Sequence, residues 1–408
     1  QGQCATERPG NASRVERPGR LFRGDRRERV PTGHHAIPPD RLGGPRSDGA
    51  AGADGTTDGT EPPAPPAVEQ VPLPGLLDPS DVALDSDPNV RTGTLPNGLQ
   101  YYVRANDNPG AKADLRLAIR AGSVNETGPS TGVAHFVEHM LFNGTEQFPK
   151  NELIDVLRSF GAEFGADINA YTSFDETVYI LDVPNQSDSV AAGLTILQEW
   201  LSHATFDPEQ VEAERGIVVD EWRGSTQTVD GRLFDVAQGM YLADSAYENR
   251  DPIGTDQSIL SVPQQELREY YDNWYRPDNA AIVIVGDIDV DQMVSEIEFR
   301  FGTAVPRTDA MPARPEVTFP IETEPEFALH SDPDQQTVDV EVDLPLPMIE
   351  GNGTAAMRAT MLDSMIFDTL VRRLDTDISA GIAPFDQIGP GTNSFVSSLD
   401  APALYAFT

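Results

Sequence analysis

Residues 131–142 of this chain read as a helix with almost no polar side. Val133, Ala134, Phe136, Val137, Met140 and Leu141 cover most of its circumference, and its polar side chains, His135, Glu138 and His139, stand at spacings of three and four. At 100° per residue these three share one arc of roughly 100°. A helix that is apolar nearly all round has to be buried, so the fold must supply layers around it. Two imidazoles and a carboxylate taken out of water are costly unless something meets them inside.

A metal ion is one such partner. Two His at i and i+4 can bind a single ion, and zinc accepts two imidazoles plus a carboxylate in catalytic sites that keep a fourth position open for water. The third ligand has to come from elsewhere. A second helix, over about residues 208–224, places Val211, Ile217, Val218 and Trp222 on one face, and Glu214 and Glu221 fall within the same face. Carboxylates in an apolar face need positive compensation, which zinc would supply. Spacing does not decide between the two glutamates. For Glu214 the plainer alternative is a salt bridge within the helix, to Arg215 or Arg223.

Around these helices the pattern is mixed. Asn97-Gly98 precedes Leu99, Tyr101 and Val103 at strand spacing, and a second alternating run covers residues 115–119, which suggests an antiparallel pair. A helix is expected over residues 150–160, closed by Gly161, and a hairpin over residues 164–183 with its break at residues 173–176. Three or four helices fill residues 187–274, a buried strand covers 280–285, and a helix covers 290–301. After a Pro-rich break, strand-like sequence resumes at residues 336–344 and a helix at 354–374. This order indicates an α+β fold, an antiparallel sheet packed with helices, over residues 85–303, followed by the start of a second similar domain over residues 316–408.

Composition narrows the function. Residues 1–75 are dense in Arg, Gly and Pro and too poor in large apolar residues to offset ordering entropy, so we expect a disordered leader ending in a Pro-rich linker. The net charge is −37, although residues 1–48 hold ten Arg against six acids. A body this acidic repels nucleic acid and anionic membrane surfaces. No apolar run reaches membrane-spanning length. The single cysteine, Cys4, excludes an intramolecular disulfide and a cysteine-rich metal site. The chain begins without Met, as a fragment lacking its own start would.

The order His-x-x-Glu-His reverses the commoner His-Glu-x-x-His and is the inverzincin signature. Here it stands within GVAHFVEHMLFNG from Gly132, followed by NAYTS from Asn169, ERGIVVDE from Glu214 to Glu221, WYRP from Trp274 and GDI from Gly286. Over about residues 90–300 these motifs, in this order, resemble the pitrilysin/insulinase family of zinc metallopeptidases. The resemblance implies one zinc ion per chain held by His135, His139 and Glu221, with Glu138 taking a proton from the attacking water. It makes Glu214 a residue that orients the site. It also places Asn169 and Ala170 on an edge strand that pairs with the peptide substrate's backbone.

Family enzymes enclose the peptide with a second half, in the same chain or a partner. The resemblance therefore makes this chain an active-site half, truncated at its C-terminus, that needs a second half or partner subunit. The reaction implied is metal-dependent hydrolysis of oligopeptides or small proteins, in a bacterial periplasm or another extracytoplasmic setting. The alternative is a catalytically silent homologue that binds peptides or assembles with an active partner. Such members usually lose a motif residue, and all four are present here. A purely structural zinc site is disfavoured, because those are typically closed by four protein ligands and usually include Cys.

Overall fold

The computed structural model describes residues 82–407, apart from 109, 151, 317–326, 344–345, 348–352, 393–398 and 401. The expected leader and linker lie outside the described residues. The chain runs through β1 (Val90–Thr94), β2 (Gln100–Ala105), β3 (Lys112–Ile119), α1 (Val133–Asn143), α2 (Glu152–Ser159), β4 (Ile168–Thr172) and β5 (Thr177–Pro184). It continues with α3 (Ser187–Ser202), α4 (Pro208–Thr226), α5 (Val229–Tyr241), α6 (Asp256–Ser261), α7 (Gln264–Trp274), β6 (Ala280–Gly286) and α8 (Val290–Phe301).

These strands form one six-stranded sheet in the order β1-β2-β6-β3-β5-β4. The pairing is antiparallel throughout except between β2 and β6, which run parallel. The Asn97-Gly98 turn joins β1 to β2, with Gly98 at φ +94° against Asp278, where a side chain would clash. The expected pairing of β2 with β3 does not occur, because β6 lies between them. The reason is visible in composition: Ala280 to Val285 is apolar at every position and alternates between buried and half-buried, the pattern of a central strand. β2 is mostly exposed along its length, so it cannot take the central place.

Leu115, Leu117, Ile282, Ile284, Val103 and Trp200 sit within the single large core that this sheet shares with the helices. α1 packs against α7, α4 and β4, and eight of its side chains are buried, His135 and Glu138 among them. The reading of this helix as apolar nearly all round, and therefore buried, holds. Five helices rather than three or four fill residues 187–274, because Pro263 separates α6 from α7.

Farther along come β7 (Asp339–Asp343), β8 (Leu346–Pro347), α9 (Thr354–Ser379), β9 (Gln387–Thr392), β10 (Leu399–Asp400) and β11 (Pro402–Phe407). A second, antiparallel sheet has the order β7-β11-β9, and α9 packs on β9 and β11. The fold is α+β. Among the described residues, no helix is long and apolar enough to cross a membrane.

Candidate active site

α1 starts where Gly132 turns the chain at φ +78°, a conformation that only glycine adopts cheaply, with its Cα side closed off by the carbonyl of Ile253. One turn in, His135 and His139 stack edge to face, their centroids 4.7 Å apart. Their Nε2 atoms approach to 3.2 Å. Glu221, from α4, brings its carboxylate to 3.2 Å from His139 Nε2 and 3.7 Å from His135 Nε2. Among the described residues these three form the group whose ligand atoms all fall within 4.8 Å of one another.

Glu214 stands two turns earlier on α4 and meets the other side of the same ring. His139 Nδ1 lies 2.8 Å from Glu214 Oε1, and Asn143 Nδ2 donates to Glu214 Oε2 at 2.7 Å. The two glutamates that spacing could not separate thus have different partners. Glu214 is not in a helix salt bridge, since Arg215 pairs with Glu212 and Arg223 with Asp220. The face they share is less apolar than expected. Ile217 is exposed, and Glu221 keeps half of its side chain in solvent, while Val211 and Val218 are buried.

Glu138 is buried beside the pair, and Thr172 on β4 donates to its Oε2 at 2.6 Å. Burial raises the Glu138 carboxyl above its ordinary range, and the Thr172 hydrogen bond and the charge of His139 act against that rise. Burial pushes His135 down to about 4, with the charge of His139 acting in the same direction. Burial also works against a charged His139, but hydrogen bonds to Glu214 and Glu221 and the charge of Glu138 outweigh it and hold the ring at about 10. Three carboxylates thus surround this ring, an arrangement that favours a positive charge at the site.

The donor set fits zinc. Two imidazole nitrogens bonded to one tetrahedral zinc at about 2.05 Å stand ~3.4 Å apart, close to the 3.2 Å between these Nε2 atoms. With its Nδ1 proton given to Glu214, His139 presents the Nε2 lone pair to the site. A carboxylate completes a three-ligand set with room for a further ligand.

The site opens into a cavity of about 600 Å³. β4 forms one part of its lining, with Asn169, Ala170 and Thr172, and Asp251, Pro252 and Ile253 form another. β4 is the edge strand of this sheet: among the described strands it pairs with β5 only. The N–H of Ala170 is taken by the side chain of its neighbour, Asn169 Oδ1, at 2.9 Å. The residue reading missed Thr172 and Asn143. Asn143 stands at i+4 from His139 on α1 and could have been found by spacing, whereas Thr172 reaches Glu138 only through the fold.

Residues 101–245 match the family described as Insulinase (Peptidase family M16), and residues 261–403 match Peptidase M16 inactive domain. The probable zinc protease PqqL of Escherichia coli (strain K12) is 34% identical over 312 residues, which are 76% of this chain and 33% of that protein. Its counterpart in Haemophilus influenzae is 41% identical over 212 residues, 52% of this chain and 23% of that protein. This chain thus spans a third or less of the length of each of these two relatives. The crystal structure of the first half of the periplasmic protease PqqL from Escherichia coli superposes with a TM-score of 0.74 at 31% identity, covering 80% of this chain and 70% of that one. Pitrilysin, at 18% identity and a TM-score of 0.61, shares the fold. By its matched regions and these likenesses, the chain belongs to the insulinase, or pitrilysin, family of zinc metallopeptidases.

Proposed function

We propose that this chain carries the catalytic site of a zinc-dependent endopeptidase that hydrolyses oligopeptides or small proteins. The observation behind this reading is the convergence of His135, His139 and Glu221 on one point, with the Glu138 carboxylate fixed beside it by Thr172. In this reading His135, His139 and Glu221 hold one zinc ion. Bound there, zinc would polarise the scissile carbonyl and make a water more acidic. Glu138 takes the proton from that water and returns it to the departing amine. Its raised carboxyl suits the task, because a general base works best with a pKa near the operating pH. Glu214 fixes the tautomer of His139.

Substrate would enter along β4. An edge strand offers unpaired backbone groups to an extended peptide, and main-chain pairing tolerates varied side chains. We assign this role to Asn169 and Ala170. The Ala170 N–H, held by the flexible Asn169 side chain rather than by β5, is the donor such a peptide would take over.

We assign residues 85–303 to the peptidase domain, ending after α8 because β6 sits in the middle of its sheet. Residues 316–408 are assigned to a second α+β domain; they carry most of the match to the inactive domain, which begins earlier, at residue 261. A further half or a partner subunit would enclose the peptide. The setting we propose is periplasmic, as for the Escherichia coli relative.

The test is Glu138→Gln, assayed for cleavage of a quenched fluorescent peptide with zinc content measured on the same sample. The expected outcome is full zinc occupancy and a loss of turnover of about 10²- to 10⁴-fold. Undiminished turnover would remove Glu138 as the base. A zinc-loaded wild-type chain that cleaves no peptide, even when completed by a second half, would overturn the peptidase reading.

A further inference from the structure

Glu126 lies outside the machinery described so far, yet its side chain is completely shielded from solvent. α1 begins at a glycine, which has no side chain with which to cap the first N–H groups of the helix. Glu126 supplies the acceptor instead, its Oε1 taking the Ala134 N–H at 3.0 Å. Its other oxygen lies 3.7 Å from Arg250 Nη1. Arg250 immediately precedes Asp251, Pro252 and Ile253, which line the cavity together with His135 and Glu138.

The far end of that short wall is tied to the start of α1 by other means. Gly132 and Gly254, at φ +78° and +71°, approach so closely that a Cβ on Gly254 would stand 2.7 Å from Gly132 Cα. The Ser258 hydroxyl accepts the Thr131 N–H and donates to the Thr131 carbonyl, each at 2.7 Å. Between the two ends the wall is a turn, with the Gly254 N–H on the Asp251 carbonyl at 2.9 Å and the Ile253 N–H on Asp251 Oδ1 at 3.2 Å. One end is thus pinned by close backbone packing and the other by the Glu126–Arg250 contact.

We propose that Glu126 and Arg250 are positioning residues: through their contact the start of the helix carrying His135, Glu138 and His139 sets the place of residues 251–253, and with it the width of the cleft beside Glu138. The consequence for peptide binding rests on the peptidase reading. The mechanical link does not. Burial pushes the Glu126 carboxyl up to about 8, with the α1 amides and Arg250 acting to lower it. The link is therefore tested above that pH, where the carboxylate is charged.

The experiment compares Arg250→Met, Glu126→Gln and the double variant by hydrogen–deuterium exchange, with zinc content, KM and kcat measured alongside. Glu126→Gln keeps an oxygen for the Ala134 N–H, so α1 should form in every variant. Each single change should speed exchange over residues 250–254 severalfold, the scale of one lost ion pair. The double variant should exchange no faster than the singles, because both remove the same contact. Zinc content and protection of α1 should hold, and KM should rise severalfold with kcat within about twofold.

Unchanged exchange over residues 250–254 in either single variant, or additive effects in the double, would overturn the proposal. So would loss of zinc and of α1 protection together with the wall, which would mark a general loss of structure. Exchange requires no turnover, so the two readings fail separately. Coupled exchange in a chain that cleaves nothing even when completed by a second half would leave the link and remove the peptidase; cleavage with unmoved exchange and KM would do the reverse.

Discussion

His139 Nδ1 lies 2.8 Å from Glu214 Oε1, and this contact fixes which nitrogen of the ring faces the site. Asn143 holds the other oxygen of Glu214 at 2.7 Å, so the carboxylate cannot turn away. Glu214→Gln should therefore bind zinc about 10- to 100-fold more weakly without losing the site. A competition titration against a chelator measures this directly. Affinity equal to that of the wild type would mean that the ring is oriented by something else.

The outward N–H of Ala170 gives a separate test of how substrate is held. Ala170→Pro removes that donor at an edge strand, where proline is tolerated because the lost N–H faced no neighbouring strand. Zinc content should not change, and KM for an extended peptide should rise about tenfold, the scale of one hydrogen bond lost from a bound ligand. Steady-state kinetics on a peptide substrate check it. An unchanged KM would place the peptide elsewhere in the cavity.

Stability should depend on pH through Glu126. Its carboxyl rises from 4.5 to about 8 in the folded chain, chiefly by burial. Between those values the folded state holds a proton that the unfolded state has released, so stability is greatest below about 4.5 as far as this group is concerned and falls as pH rises toward 8. Glu126→Gln cannot ionise. Its melting temperature should fall less steeply than that of the wild type over this window, read by thermal unfolding in a series of buffers. Parallel profiles would contradict the assignment.

How much of this could be read from residues alone follows from the distance over which each signal acts. The stripe of His135, Glu138 and His139 is local, and the apolar positions around it specify a buried helix, which α1 is. The edge position of β4 came from the family resemblance rather than from its own residues, since an edge is a property of the whole sheet. The insertion of β6 between β2 and β3 was not legible, because residues 280–286 are remote in sequence from both partners. Ile217 misled for a different reason: one apolar residue on a mostly polar helix does not say which way the helix turns, and here it faces solvent. The Thr172 bond to Glu138 and the approach of Gly254 to Gly132 likewise exist only once distant segments meet.

The most direct test of the central claim, that His135, His139 and Glu221 together hold one catalytic zinc, is the zinc stoichiometry of the purified chain beside Glu221→Ala and Glu214→Ala. The site predicts about one zinc per folded chain, lost in Glu221→Ala and largely kept in Glu214→Ala at saturating metal. A folded wild-type chain that takes up no zinc, or a Glu221→Ala variant that keeps it, would contradict the account.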